Sequence, residues 1–116
     1  MLQLSPQTRI FVAVEPQDFR KGVDGLSQVC RAHLREDPMS GAVYVFCNRS
    51  RKSIRVLAYD GQGFWLCTKR LSQGRLHGWP RAETATVHLA ARELHILLWN
   101  GNPERAALGL DWRAVA

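Results

Sequence analysis

Three β-prone runs, Ala42–Cys47, Ile54–Tyr59 and Gly63–Lys69, follow one another with hairpin-length connections, and this constrains the fold more than any other feature. The connections are Asn48–Ser53 and Asp60-Gly61-Gln62-Gly63, rich in residues that favour tight turns. Such spacing predicts an antiparallel meander. Period-two alternation then divides the first hairpin into two faces, given that Cys47 stands opposite Ile54. Val43, Val45, Cys47, Ile54, Val56 and Ala58 share one face, and Tyr44, Phe46, Arg55, Leu57 and Tyr59 share the other.

Before Pro38 the pattern is different. Arg9–Val14 reads as a short strand, Pro16 breaks it, and Asp18 stands where a helix N-cap would. Phe19, Val23, Leu26, Cys30 and Leu34 then recur at helical spacing, which predicts an amphipathic helix of about four turns ending before Pro38. Gly22 and Gly25 lower its propensity by about 1 kcal/mol each relative to Ala; either something packs closely there or the segment is flexible. Downstream, Thr86–Leu89 suits a further edge strand, and Leu94, Leu97 and Leu98 mark a shorter helix ending near Asn100-Gly101. The class expected is therefore α+β in a single domain, 1–116. It has an antiparallel sheet of three to five strands, a long N-terminal helix on one face and a shorter C-terminal helix. Residues 101–116, with Pro103, Leu108, Leu110 and Trp112, form a tail available to dock on the core.

The smooth aliphatic face is the expected bed for the long helix. The aromatic face then has two readings, an open platform for nucleobases or core beneath the shorter helix. The second is favoured, because exposed apolar patches of that size are rare in monomers.

A chain of 116 residues supports one core, and 46% apolar with 22% charged residues is ordinary for a globular protein. Disorder, collagen repeats and a disulfide scaffold do not describe it. No apolar run approaches the roughly 20 residues of a membrane span, and Met1–Arg9 lacks the pattern of a secretory signal. Cys30, Cys47 and Cys67 show no C-x-x-C spacing and fit reduced thiols, so a cytoplasmic, nucleoid-associated protein is expected.

Charge carries the functional signal. The net charge of +6 comes from the middle of the chain, where residues 38–82 hold eight basic side chains and one acid, Asp60. Thirteen of the sixteen cations are Arg, whose planar fork matches phosphate oxygens. A local excess of this kind is the footprint of a nucleic-acid binder. Two segments stand out. Asn48-Arg49-Ser50-Arg51-Lys52-Ser53, with Arg55 just beyond, places cations on the first hairpin loop. Lys69-Arg70-Leu71-Ser72-Gln73-Gly74-Arg75 leads into Trp79-Pro80, charge followed by an aromatic, which suits single-stranded nucleic acid. Trp79 itself is assigned to plugging the end of the sheet. The expected contacts are thus Arg49, Arg51, Lys52, Arg55, Lys69, Arg70 and Arg75. Arg20, Lys21 and Asp24, with Gln28 and Arg31, lie away from the helix's apolar stripe and form a candidate partner surface.

Catalysis has less support. Cys30, Cys47, Cys67, His33, His77, His88 and His95 form none of the usual metal-ligand spacings, so no metal or cofactor is expected. No nucleophile elbow or phosphate-cradling glycine loop occurs. Asp18, Asp24, Asp60 and Asp111 are dispersed, with Asp18 read as a cap and Asp60 as the first residue of a turn. A small basic nuclease acting on RNA or DNA, using His77 or His88 with Arg70 or Arg75, is the alternative reading.

Asp18-Phe19-Arg20-Lys21-Gly22-Val23-Asp24-Gly25-Leu26 resembles the D-x-R-K-G-x-D-G-L segment of a bacterial transposon protein family. The similarity continues through Asp37-Pro38-Met39-Ser40-Gly41, Val45-Phe46, Asn48-Arg49, Lys52, Ile54, Leu57, Asp60-Gly61, Gly63, Lys69-Arg70-Leu71, Gly74-Arg75 and Trp79-Pro80. The family is that of the small accessory proteins (TnpB, second open reading frame products) of insertion sequences of the sixty-six family. It is distinct from the RNA-guided nuclease sharing that name. The resemblance covers about residues 9–100. It implies a non-catalytic accessory role in DNA transposition, beside a separate, larger transposase that carries the catalytic acids. The partners expected are therefore nucleic acid, DNA in particular, and the element's transposase. The chain departs from the family at its C-terminus, where Trp99 to Leu110 separate Leu97-Leu98 from Asp111-Trp112-Arg113.

Overall fold

The computed structural model describes residues 4–103. Strands β1 (Ile10–Ala13), β2 (Val43–Cys47), β3 (Ser53–Tyr59), β4 (Phe64–Arg70) and β5 (Thr86–Leu89) form one sheet in the order β4-β3-β2-β1-β5. The meander expected from the three runs is there, as β2, β3 and β4, and Cys47 stands opposite Ile54. β5 pairs antiparallel with β1.

The sheet is not wholly antiparallel. β1 lies inside it and runs parallel to β2, with Ile10 opposite Val43 and Val12 opposite Val45. A parallel pair needs a crossover, and the chain supplies one in helix α1 (Val23–Val29), which continues through a π-helical turn, Cys30–Leu34. All four residues of β1 are buried, as an interior strand covered on both faces demands.

The helix is shorter than its stripe suggests, seven α-helical residues and then five in π geometry. Asp18 does not cap it; the cap position belongs to Gly22. The Asp18 carboxylate instead accepts the Arg20 backbone N–H at 2.9 Å and closes a separate turn, so Phe19 precedes the helix rather than opening it. A Cβ on Gly25 would come within 2.8 Å of the Lys21 Cβ, which accounts for that glycine by close approach; around Gly22 there is open space. At the far end Arg35 turns left-handed (φ 55°), and Glu36 N–H donates to the Cys30 carbonyl.

Each face of the sheet has its own core. Phe11, Tyr44, Phe46 and Leu57 pack with Leu26 and Val29 of α1 and with Cys30 and Leu34 of the π-helical turn. Val43, Val45, Cys47, Ile54, Val56 and Ala58 pack with Leu94 and Leu97 of α2 (Ala91–Leu98), and with Leu76 and Trp79. The two faces are as alternation divides them, but their covers are exchanged. α1 lies on the aromatic face and α2 on the aliphatic one. In a β–α–β unit the handedness of the crossover decides the face, and the texture of the bed does not. Tyr44 is fully buried, its hydroxyl donating to the Asp37 carbonyl at 2.8 Å, and Tyr59 is half-buried against Phe64. Tyr44, Phe46 and Leu57 are core beneath the helix, so most of this face is no open platform, and Tyr59 at its end keeps partial exposure.

The Ser27 hydroxyl is buried in α1 with no hydrogen-bond partner among the described residues. Ser27→Ala should therefore raise stability by about 0.5–1 kcal/mol, since Ala is the better helix former and leaves no hydroxyl unsatisfied. Urea denaturation measures this; a loss of stability would show that the hydroxyl is satisfied after all.

The expected docking of Leu108, Leu110 and Trp112 lies outside the described residues. Among those described, no helix is long and apolar enough to cross a membrane.

Candidate nucleic-acid interface

In a meander the β2–β3 loop and the end of β4 fall at the same end of the sheet, and here they are joined. Asn48 organises the loop: its side-chain oxygen accepts the backbone N–H groups of Lys52 at 3.0 Å and Ser53 at 3.1 Å, and Arg51 takes a left-handed turn (φ 58°). The segment after β4 is laced onto that loop. Leu71 N–H donates to the Lys52 carbonyl at 2.8 Å, and Leu76 N–H to the Arg51 carbonyl at 2.7 Å. Arg70 stands opposite Ser53. The two basic segments of the sequence thus become one surface. Arg49, Lys52, Arg70 and Arg75 are exposed at this end and Arg51 is half-buried, with Arg49 bordering a separate cavity beside Glu15, Gln17 and Glu83. Lys52, Arg70 and Leu71–Gly74 border a shallow cavity of about 300 Å³.

Two expected contacts face elsewhere. Arg55 is not an exposed loop cation. Its guanidinium reaches under the turn before α1, donating to the carbonyls of Phe19 at 2.6 Å and Lys21 at 2.7 Å and to the Thr68 hydroxyl at 3.0 Å. Its carbon centre lies 4.6 Å from the Phe19 ring. Arg55 is a tie between the sheet and the Asp18–Gly22 segment, a role that loop position alone could not signal. Lys69 points to the opposite face from Arg70, donates to the Leu98 carbonyl at 2.6 Å and caps the C-terminus of α2.

The expected partner surface adjoins this end. Gln17 pairs with Asn48, and Gln17 N–H donates to the Cys47 carbonyl at 2.8 Å, which brings the Asp18 turn beside the hairpin loop. Arg20 grips Asp18 through Nε and a terminal nitrogen, at 2.9 and 2.6 Å. That hydrogen-bonded pair holds the Asp18 carboxyl well below the usual range, and the Arg49 charge adds to the effect. Arg20, Lys21 and Asp24 are all exposed, and the carboxylate that Arg20 pairs with is Asp18.

Trp79 plugs the sheet as expected, buried and donating Nε1–H to the Ala13 carbonyl at 2.9 Å. His77 and His88 border a cavity with Arg81 and Glu93, while Arg70 borders a different one; Arg75, also considered for a nuclease, is joined to His77 through the Asn100 side chain. The His88 ring packs 4.4 Å from Phe11. Burial pushes the Cys30 thiol up to about 12 and the Cys47 thiol up to about 11, so both are protonated small hydrophobes at neutral pH. Among the described residues no group of three or more His, Cys, Asp or Glu is placed to hold a metal.

A five-stranded sheet with a helix on each face and cations gathered at one end defines a small α+β module with a basic edge. The chain belongs to the IS66 Orf2-like family: the family model described as IS66 Orf2 like protein matches residues 8–107. Membership makes it an insertion-sequence accessory protein. It is similar to two proteins of Sinorhizobium fredii. These are uncharacterized protein y4jC, 32% identical over 99% of this chain and 90% of the relative, and uncharacterized protein y4hO, 34% identical over 97% and 90%. No solved structure matches it significantly.

Proposed function

We propose that this accessory protein acts without catalysis by holding DNA on the end of the sheet that carries Arg49, Arg51, Lys52, Arg70 and Arg75. The Asp18–Asp24 segment beside it would engage the transposase of the same element. The observation that supports the reading is the lacing of Leu71 and Leu76 onto Lys52 and Arg51, which unites cations some twenty positions apart in sequence into one surface. Arg forks on such a surface grip phosphate oxygens without reading bases, which gives position rather than sequence.

Incubation of the purified protein with labelled duplex DNA, with and without a divalent cation, tests the non-catalytic part. Intact DNA in a salt-sensitive complex is expected in both; cation-dependent shortening of the DNA would restore the nuclease alternative. For the transposase, charge reversal at Arg20 and Lys21 should abolish its capture while leaving fold and DNA binding in place. Retained capture would eliminate that surface.

A further inference from the structure

Sequence spacing put the aromatic companion of the basic segment at Trp79, but Trp79 is interior. The exposed ring near these cations is Trp99. It is 82% exposed, at the C-terminal end of α2, although a solvated indole of that size is a poor use of a tryptophan. Its surroundings explain what it is suited to. Lys69 Nζ sits 4.9 Å from the ring centroid on one side. Trp99 also forms the rim of an apolar groove of about 430 Å³, lined by Ile54, Val56, Cys67, Leu94 and Leu98. That volume is within the range of small-ligand sites, about 300–1,000 Å³.

The groove is built into the basic end. The next residue, Asn100, donates its side-chain N–H to the Arg75 carbonyl at 3.1 Å and accepts the His77 N–H at 3.0 Å. A Cβ on Gly78 would lie 2.5 Å from Asn102 Cα and from the Gly101 carbonyl oxygen, so the backbones meet there directly. Asn100 takes a left-handed conformation (φ 62°), and Gly101 N–H returns to the Ile96 carbonyl, which fixes the turn that presents Trp99. Lys69 and Arg70 are consecutive on β4, one facing the groove and the other the phosphate-binding surface.

We infer that Trp99 and this groove take an unpaired nucleobase while Arg75, joined to the Trp99 turn through Asn100, holds the flanking phosphate, so that the protein engages single-stranded DNA as well as duplex. An aromatic face beside a cationic track is the arrangement that binds single strands, because every base has a π-face to stack. This rests on the proposed DNA-binding reading and specifies the form of the DNA.

The test measures anisotropy of labelled oligothymidine, about sixteen nucleotides long, and of a duplex of the same length. The full chain is compared with Trp99→Ala and Trp99→Phe, after circular dichroism establishes that each is folded. Trp99→Ala should weaken the single strand about tenfold while leaving duplex affinity and the salt slope unchanged, and Trp99→Phe should recover most of the loss. Wild-type affinity for oligothymidine in Trp99→Ala, or equal losses on both probes, would overturn the inference and leave the DNA-binding reading standing. So would loss of transposase capture in Trp99→Ala with single-strand binding intact, which would give the groove to a protein. Failure of the wild-type chain to bind either probe would overturn the DNA-binding reading, and this one with it.

Discussion

Trp79→Ala should cost about 3–5 kcal/mol, the largest stability loss expected from a single change in this chain. The side chain fills the space between the aliphatic face of the sheet and the connection leading to β5, and it is 6% exposed. Truncation leaves a large cavity and also strands the Ala13 carbonyl, which accepts the indole N–H in the wild-type protein. Since small domains are stable by about 5–15 kcal/mol, this one change can consume a large part of the total. Trp79→Phe separates the two contributions: most of the volume stays while the hydrogen bond goes, for a loss of about 1–3 kcal/mol. Chemical denaturation of both variants checks this, and an Ala variant within 1 kcal/mol of wild type would show that the ring is not a core element.

The second large effect is at Arg55. Arg55→Ala should destabilise by about 2–3 kcal/mol, because it removes charge-assisted hydrogen bonds and leaves the Phe19 and Lys21 carbonyls without their donor. Arg55→Lys should recover only part, since one terminal nitrogen of Arg55 serves both carbonyls while Nε serves the Thr68 hydroxyl, and a single ammonium cannot cover both groups. The consequence is local as well as global. Hydrogen exchange should quicken at Arg20 to Gly22, the turn that Arg55 pins, and transposase capture should weaken with it. If Arg55→Ala lowered DNA affinity with its salt slope but left stability untouched, the side chain would be a phosphate contact and not a tie.

Arg55 also shows what a sequence pattern can and cannot carry. Alternation places it correctly on the face of Phe46 and Leu57, yet whether a cation there meets solvent or a neighbouring carbonyl depends on which helix covers that face. The register of the first hairpin was legible because a slip by one residue would exchange its aliphatic and aromatic sets between the two faces, each of which packs against its own cover. The interior position of β1 was legible too, in principle: Ile10, Phe11, Val12 and Ala13 are apolar without alternation, the mark of a strand covered on both sides. The start of α1 was not. Asp18 looks like a cap, and only the Arg20 contact shows that it closes a turn of its own. The union of the two basic segments follows from meander topology, whereas the position of Trp99 against Lys69 depends on how α2 docks, which periodicity cannot supply.

The central claim is that the β2–β3 loop and the segment after β4 form one phosphate-binding surface. The most direct measurement is the salt dependence of binding to a short DNA duplex, for wild type and three variants. The variants are Arg49→Ala with Lys52→Ala, Arg70→Ala with Arg75→Ala, and all four together. Each pair should flatten the slope of log affinity against log salt by roughly 0.9 per lost phosphate contact, and the quadruple variant should lose the sum of the two. A quadruple variant that is folded and keeps the wild-type slope would contradict the account.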